Sequence, residues 1–405
     1  MSVMIPYRPE HVGMARALVA ETERAGGLAP VDIERFWADD AVAVKDPFGV
    51  AATAHIPQVA LGAGLTPECV YAELGIPEDL WRYDHDDAWR VATNRAYNDI
   101  AESIVGRRLL AEVPVDPARQ YPPVKGLHDV FEAENIWLDQ SWWLTQSARN
   151  EDQLQALLDR VEARLDAPGR LRGFLLPEVW DEVKERLMPL GAKPPLYRHQ
   201  RGPVTFATSV YGSENLIYLI IENPDLASRF SRLILWSMLE IARVIDEEAG
   251  YTAETAPHGF SFADDNSCLL KPDMYELFGY PVLKGMFERY SPNPGDMRYQ
   301  HSDSAMGHLL PLLGKLNMTG LNLGPTVLAS EIREHLPHAV IYGQLAPFTY
   351  MRNEAENIVL EFLRDFDMTR ESRGLAFATA GSIGNGTRLT SMRLVMATIQ
   401  RYGRY

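Results

Sequence analysis

The sequence predicts an α/β protein whose main part is a single eight-stranded (β/α)8 TIM-type barrel with an N-terminal helical extension. Three observations predict this class. Short apolar segments alternate with helix-like segments from about residue 200 to the C terminus, a rhythm typical of parallel strands joined by crossover helices. Helix-like segments flank these strands throughout, as in parallel sheets buried on both faces. No glycine-rich phosphate turn follows the first strand, which disfavours an open, doubly wound sheet.

A change of pattern near residue 115 divides the chain. Residues 1–115 are predicted to be mainly helical, and the clearest helical spacing runs from Ala88 to Leu110. The proline-rich stretch Pro114–Pro123 follows and marks a boundary. We therefore expect residues 1–115 to form a helical extension that packs on the barrel, and residues 116–405 to form the barrel.

The strand count comes from the apolar runs. One or two strands are expected between Val124 and Leu138, and six clearer ones follow. The six are Gly202–Gly212, His258–Ala263, Met297–Gln300, Gly320–Leu323, Ala339–Tyr342 and Leu375–Thr379.

Composition excludes several classes of protein. The formal net charge is -16 and the pI about 5.1, and no Lys/Arg-rich run is present, so a nucleic-acid surface is not expected. The two cysteines cannot form a disulfide framework. No apolar run approaches the roughly 20 residues of a membrane helix, and residues 1–11 contain no continuous apolar segment of the kind found in signal peptides. These features predict a cytoplasmic protein that does not enter a membrane.

Polar residues follow several of the predicted strands. In a (β/α)8 barrel the carboxyl ends of the strands form the face on which active sites lie, so these side chains should converge on one cavity. We predict catalytic roles for His301, Asp303, Asp264 and Asp265, and substrate contacts for Tyr211, Glu214, Asn215, Asn266, Asn322, Gln344 and Tyr350.

The segment His301-Ser-Asp303 is the most informative part of the sequence. Both residue types bind metals and carry protons, and residues two apart share one face of an extended strand. The pair would either bind a divalent metal, zinc or another, or act in acid–base chemistry. Alternatively, Asp303 fixes the tautomer of His301. A third metal ligand would come from Asp264, Asp265 or Glu214.

Asp264 and Asp265 are adjacent, so only one of them faces the cavity if the segment is extended. Two carboxylates near a common substrate would raise the pKa of one of them and form an acid–base pair. The alternative is that one of the two caps the helix that follows.

The run Phe262–Pro281 resembles a segment of the uroporphyrinogen decarboxylase superfamily, in which a strand and an acidic tip precede the pattern L-S-P-x-x-Y-x-x-F-x-x-P. The segment from His301 to Leu313 is similar to the next strand and helix of that family. Ile341–Pro347 matches its strand tip, G-x-(I/L)-x-P. The resemblance covers about residues 95–405 and is strongest after residue 255.

This resemblance implies an eight-stranded barrel that is often dimeric, and one of two chemistries. The first is decarboxylation of the acetate arms of uroporphyrinogen without a cofactor. The second is methyl transfer between a corrinoid and a thiol or folate acceptor. In the thiol-directed branch, a zinc ion activates the acceptor as a thiolate.

The chain departs from both branches. The decarboxylases carry an arginine-rich signature, P-x-W-x-M-R-Q-A-G-R, near the N terminus, and nothing similar occurs here. The zinc methyltransferases carry His-x-Cys and a distant cysteine near the last strand. Here Asp303 follows His301 at that spacing, and Phe377–Ser382 contains no cysteine. Oxygen ligands in place of thiolates change the preferred metal or remove it.

We therefore expect a methyltransferase or demethylase-type enzyme that uses a corrinoid or tetrahydrofolate as methyl carrier and acts on a small-molecule substrate. A corrinoid protein is the expected partner, and a homodimer the expected assembly. Two alternatives stay open. One is a cofactor-free decarboxylase or related lyase. The other is a non-catalytic partner barrel in a methyl-transfer complex.

Overall fold

The structure is a computed structural model, and it describes residues 7–50, 57–62, 68–166 and 168–405. The predictions for residues 1–115 therefore fall partly outside the described residues, at positions 1–6, 51–56 and 63–67.

The chain divides into two compact units. One unit contains Met1–Val115, Ser302–Leu310 and Thr319–Tyr405, and the other contains Asp116–His301 and Pro311–Met318. One boundary thus falls at residue 115, where the sequence changes pattern. The assignment of residues 1–115 to a separate extension stays a prediction. This segment also contributes a strand to the sheet, since β1 (Ala60–Leu61) pairs in parallel with the strand Leu375–Thr379.

Seven strands form a parallel sheet, which confirms the α/β class and is consistent with a TIM-type barrel. The described residues supply one strand fewer than the eight that we predicted. In the sheet the strands follow the order β1-β9-β8-β7-β6-β5-β4. The six strands beside β1 are β4 (His199–Arg201), β5 (Phe260–Ala263), β6 (Arg298–Ser302), β7 (Gly320–Leu323), β8 (Val340–Leu345) and β9 (Leu375–Thr379).

Helices precede the first strand and separate the later ones, as the alternating apolar pattern predicts. The helices of the N-terminal segment are α1 (Pro9–Arg24), α2 (Ile33–Ala43), α3 (Cys69–Leu74), α4 (Leu80–His85) and α5 (Asp87–Val105). The remaining helices are α6 (Leu127–Val130), α7 (Glu151–Leu165), α8 (Pro168–Leu175), α9 (Trp180–Leu187), α10 (Pro203–Tyr211), α11 (Ser213–Glu222), α12 (Pro224–Glu248), α13 (Pro272–Phe278), α14 (Tyr280–Tyr290), α15 (Leu310–Gly314), α16 (Ala329–His335), α17 (Pro347–Met351), α18 (Ala355–Thr369) and α19 (Leu389–Tyr402).

The strand predicted at Gly202–Gly212 is wrong, because this segment forms the helix α10. Its valines, threonines and aromatic residues favour a strand locally. The helix nevertheless begins at Pro203, a residue well suited to the first helical position. The carboxylate of Asp264, which is distant in the sequence, accepts a hydrogen bond from the backbone N–H of Thr205 in its first turn. The strand lies just before it, at β4. Tyr211 therefore ends a helix and not a strand.

The strands expected between Val124 and Leu138 are only partly present. The segment contains α6 and then β2 (Asn135–Leu138), which pairs with β3 (Ser141–Leu144) as an antiparallel hairpin. This hairpin is a separate two-stranded sheet. Its tryptophans Trp142 and Trp143 are exposed, so the apolar pattern here indicates a surface ribbon and not a barrel strand.

The two faces of β5 and β6 differ in chemistry. Phe260, Phe262 and Gln300 are buried, and the ring of Phe262 packs edge-on against that of Phe287 from α14 at 5.6 Å. The alternate positions are polar or small and only partly buried. One face of these strands thus forms the core with the helices, and the other is available for chemistry.

Candidate functional site

The accessible face of β4, β5 and β6 carries a set of polar side chains. Parallel pairing aligns Arg201 with Ala263 and Ala263 with His301, and it aligns His199 with Ser261 and Ser261 with Tyr299, so β5 lies between the residues of β4 and those of β6. Because successive side chains alternate between the two faces of a strand, these residues lie on the face opposite the phenylalanine core. Three adjacent strands therefore present the side chains of this face.

At the carboxyl end of this face, three potential metal ligands come together. One ligand atom from each of Asp265, His301 and Asp303 lies within 4.8 Å of the other two. His301 belongs to β6, and Asp303 follows the last residue of that strand. Asp265 begins the 3-10 turn Asp265–Leu269, which Asp264 separates from the end of β5. Two of the three residues are partly buried and Asp303 is exposed.

The loop after β9 holds the carboxylate of Asp303. The backbone N–H of Ser382 donates to Asp303 Oδ1 at 3.2 Å. The preceding residue, Gly381, has a φ of +114°, a conformation that favours glycine. A Cβ atom at this position would lie only 2.6 Å from the same carboxylate oxygen. Gly381 thus lets the loop approach Asp303 closely enough for the hydrogen bond to form.

Asp264 lies behind the site and caps a helix. It is fully buried, and its Oδ1 atom accepts a hydrogen bond from the backbone N–H of Thr205, in the first turn of α10, at 2.7 Å. Burial raises the pKa of Asp264 to about 7, although the bonds from Thr205 oppose this. Of the two adjacent aspartates, Asp265 belongs to the cluster with His301 and Asp303, whereas Asp264 is buried. The capped helix is α10, however, and not the helix that follows.

The residues predicted near this end as substrate contacts are engaged in internal bonds or lie outside the cluster. Asn266 donates to Thr208 Oγ1 at 2.7 Å, and Asn215 donates to the carbonyl of Tyr211 at 2.8 Å. Tyr211 is buried, and Glu214 is exposed in the first turn of α11. Their roles in substrate binding stay predictions that the geometry does not support.

Asn322, Gln344 and Tyr350 are also buried. The Asn322 amide donates to the carbonyl of Tyr342 on β8 and to that of Thr379 on β9, the latter at 2.8 Å, so it ties β7 to two further strands. The Gln344 amide donates to the carbonyl of Val327 at 2.6 Å. Tyr350 has no exposed surface. Each of these side chains therefore serves the interior of its unit in this structure.

Sequence reasoning missed His199, Arg201 and Tyr299. Burial lowers the pKa of His199, and an electrostatic interaction with His301 lowers it further, so the two histidines lie close enough to interact. His199 Nδ1 lies 2.9 Å from Ser261 Oγ. The only available signal was the alternation in His199-Gln-Arg201, which a three-residue strand is too short to reveal.

Comparisons with known proteins agree with the fold. The family model for uroporphyrinogen decarboxylase (URO-D) matches residues 154–402. A methyltransferase from Methanosarcina mazei has a similar structure, with a TM-score of 0.54 and 16% sequence identity over 89% of this chain and 97% of that one. At this identity the similarity establishes the fold alone. A search of curated proteins gave no significant match.

Among the residues that the structure describes, no helix combines the length and the apolar character needed to cross a bilayer.

Proposed function

The chain belongs to the uroporphyrinogen decarboxylase family, and on that premise we propose that it is a metal-dependent methyltransferase or demethylase. The observation that carries this proposal is the approach of one ligand atom each from Asp265, His301 and Asp303 to within 4.8 Å. The site lies at the carboxyl ends of β5 and β6, the end at which enzymes of this fold carry out their chemistry.

The donor set fits a divalent metal. Two ligands at about 2.1 Å from one ion can be at most about 4.2 Å apart, so the observed spacing needs only a small closure around the ion. One imidazole and two carboxylates suit zinc, iron or manganese, whereas thiolate-rich sites select softer ions. Asp303 takes the place expected for a cysteine in His-x-Cys, and Asp265 supplies a third ligand from a different strand end.

The protein's own residues would position this centre. When bound, the metal would supply a Lewis acid that polarises or activates the acceptor group. His301 would provide the nitrogen ligand from a strand, and Asp265 and Asp303 would provide the oxygens. The Ser382 N–H donates to Asp303 Oδ1 and would hold this carboxylate in place beside the ion. Buried Asp264 would keep the Asp265 turn in place through its bond to α10.

A corrinoid or tetrahydrofolate is proposed as the methyl carrier, with a small molecule as the other substrate. The family supports these assignments only in general terms. We further propose a cytoplasmic homodimer and, where a corrinoid is used, a corrinoid protein as partner.

A cofactor-free decarboxylase is the second candidate, because the matching family model is that of a decarboxylase. In that case Asp265 would stabilise a protonated intermediate of the substrate. Asp264 would take no direct part, since its carboxylate is sealed beneath α10.

The deciding experiment measures metal binding and turnover together. We would load the purified chain separately with Zn²⁺, Mn²⁺ and Fe²⁺, dialyse it, and count bound metal by elemental analysis. Methyl transfer would be followed by the absorbance of methylcobalamin with a panel of small thiols, and with tetrahydrofolate as an alternative acceptor. Release of carbon dioxide from uroporphyrinogen would test the second candidate.

The matched variants are His301→Ala and Asp265→Asn, and the control is His338→Ala, which changes an exposed histidine outside the site. We expect about one metal ion per chain in the wild type and the control, and at least tenfold weaker binding in both site variants. Substoichiometric metal that is indifferent to His301 would refute the metal centre. Carbon dioxide release without metal would favour the lyase.

A further inference from the structure

The guanidinium of Arg201 is partly buried, but no carboxylate of the described residues forms an ion pair with it. Among the described residues, its hydrogen-bond partner is the hydroxyl of Ser209, 3.3 Å from Nη1. No carboxylate oxygen of these residues lies within ion-pair distance of it. Asp265 is close enough to act on its charge, yet burial outweighs this attraction and lowers the pKa of Arg201.

Arg198, three residues earlier, is an arginine with a structural role, and its guanidinium has several close partners. Its guanidinium forms an ion pair of 2.6 Å with the buried Asp246, also donates to the carbonyl of Pro257, and lies over the ring of Tyr290. Burial of a charge without such partners is costly. Arg201 is partly buried, and one long hydrogen bond to the neutral hydroxyl of Ser209 offsets little of the cost of burying its charge.

The remaining nitrogens of Arg201 are open to a ligand. None of them is sealed from solvent without a hydrogen-bond partner, unlike Nε of Arg333 in the other unit. Arg201 also shares its strand register with His301, and Ser261 and His199 line the same face one step further along the strands. Ala263 of β5 lies between Arg201 and His301 in this register, but Asp265 acts on the charge of Arg201 and has a ligand atom within 4.8 Å of one of His301. We therefore expect a ligand bound beside Asp265 and His301 to come within reach of this guanidinium.

We propose that Arg201 recognises a carboxylate group of the substrate and holds it beside Asp265 and His301. The planar guanidinium presents two parallel N–H donors, which match the two oxygens of a carboxylate. A singly charged carboxylate suits this place better than a dianionic phosphate, because the carboxylates of Asp265 and Asp303 are nearby. The inference deepens the proposed function: it makes the substrate class a small carboxylic acid.

The test uses the full chain after treatment with EDTA, so that no metal contributes to binding. Benzoate, phenylacetate and acetate would be compared with benzamide, phenylacetamide and acetamide by saturation-transfer NMR. We expect at least one acid to bind the wild type and to exceed its own amide at least tenfold in affinity. Arg201→Gln should abolish this preference. Arg201→Lys keeps the positive charge but not the two parallel N–H donors, and it should retain part of the preference for the acid over its amide.

Arg232→Gln is the matched control, because Arg232 is exposed on α12, and it should behave as wild type. His301→Ala should also keep the preference for acids. The proposal is overturned if no acid binds, if acids and amides bind equally, or if Arg201→Gln, with a wild-type melting temperature, still selects the acid. This readout needs neither metal nor turnover. Carboxylate binding by Arg201 can therefore be confirmed even if the metal centre is refuted, and it can be refuted even if the metal centre is confirmed.

Discussion

The backbone N–H of Thr205 donates to the carboxylate of Asp264 at 2.7 Å. This bond joins the first turn of α10 to the end of β5, two segments nearly 60 residues apart in the chain. The carboxyl group lies at the N terminus of α10, the positive end of the helix dipole. Next to it, Asp265 turns toward His301 and Asp303. One aspartate therefore holds the scaffold while its neighbour reaches the candidate metal centre.

The first prediction concerns the pH dependence that Asp264 confers. Its folded-state pKa of about 7 lies above the ordinary value of 3.8, so between these values the folded state keeps a proton that the unfolded state releases. The stability contribution is complete below about pH 4 and is lost as the pH rises through 7. Asp264→Asn keeps an oxygen acceptor for Thr205 and should flatten this dependence in denaturant titrations from pH 4 to 8.

Asp264→Ala should instead lose the cap and cost about 1–2 kcal/mol at pH 4. Asp273→Asn changes an exposed aspartate of the same unit and should follow the wild-type curve. Parallel curves for the wild type and Asp264→Asn would contradict the assigned protonation.

The second prediction concerns Glu248, which joins α12 to α8 and α9. Its carboxylate accepts hydrogen bonds from Arg172 at 2.7 Å, Lys184 at 2.7 Å and Trp180 at 2.8 Å. Burial opposes its ionisation, but these bonds outweigh burial and lower the pKa to about 2. The stabilisation is therefore present above pH 4.5 and is lost as the pH falls toward 2.

Glu248→Gln should reduce the free energy of unfolding at pH 7 by about 2 kcal/mol, because the charged acceptor of three donors is removed. Chemical denaturation at pH 7 and at pH 3 measures this, and the difference from wild type should shrink at the lower pH. Glu185→Gln, on the exposed side of α9, is the control. An equal loss at both pH values would argue against ionised Glu248 as the stabilising group.

The third prediction tests the loop that orients Asp303. Gly381→Ala would place a Cβ atom 2.6 Å from Asp303 Oδ1 at a φ of +114°, so the carboxylate must move. We expect metal affinity to fall about tenfold or more, by analogy with the loss of other groups that orient ligands, when measured by calorimetric titration with Zn²⁺.

Gly384→Ala changes the same loop without this clash, because its Cβ atom would meet only the sulfur of Met351 at 3.4 Å. Its metal affinity should be close to wild type. Equal affinities for the two variants would show that the loop does not position Asp303.

The fourth prediction separates structure from substrate binding at Asn322. Because its amide donates to carbonyls on β8 and β9, Asn322→Ala should reduce the free energy of unfolding by about 1–3 kcal/mol. Metal affinity should be unchanged. If Asn322→Ala kept the stability of the wild type but bound substrate or metal more weakly, Asn322 would have a direct role in the site.

The late strands were predictable from the sequence because each is a short apolar run between amphipathic helices. Five of the six strands predicted after residue 200 are present within a few residues of their predicted bounds. The failure at Gly202–Gly212 has a physical reason. Its β-branched residues favour a strand, and the group that caps it as a helix, Asp264, is remote in the sequence.

The residues of the candidate site also differ in whether the sequence could predict them. The proximity of His301 and Asp303 follows from their spacing in one chain segment, and the adjacency of Asp264 and Asp265 requires them to face different ways. Neither spacing nor periodicity could place Arg201 and His199 on the same sheet face as His301, because strand pairing through β5 creates that relationship.

The sequence by itself determined the α/β class, the family and the pair at the end of β6, since these depend on local apolar periodicity and on contiguous motifs. Only the tertiary structure decided which aspartate faces the pair, which polar side chains form internal hydrogen bonds, and that Arg201 has a hydroxyl and no carboxylate of the described residues as its hydrogen-bond partner. Those outcomes depend on strand register and burial, which bring together residues that the chain keeps far apart.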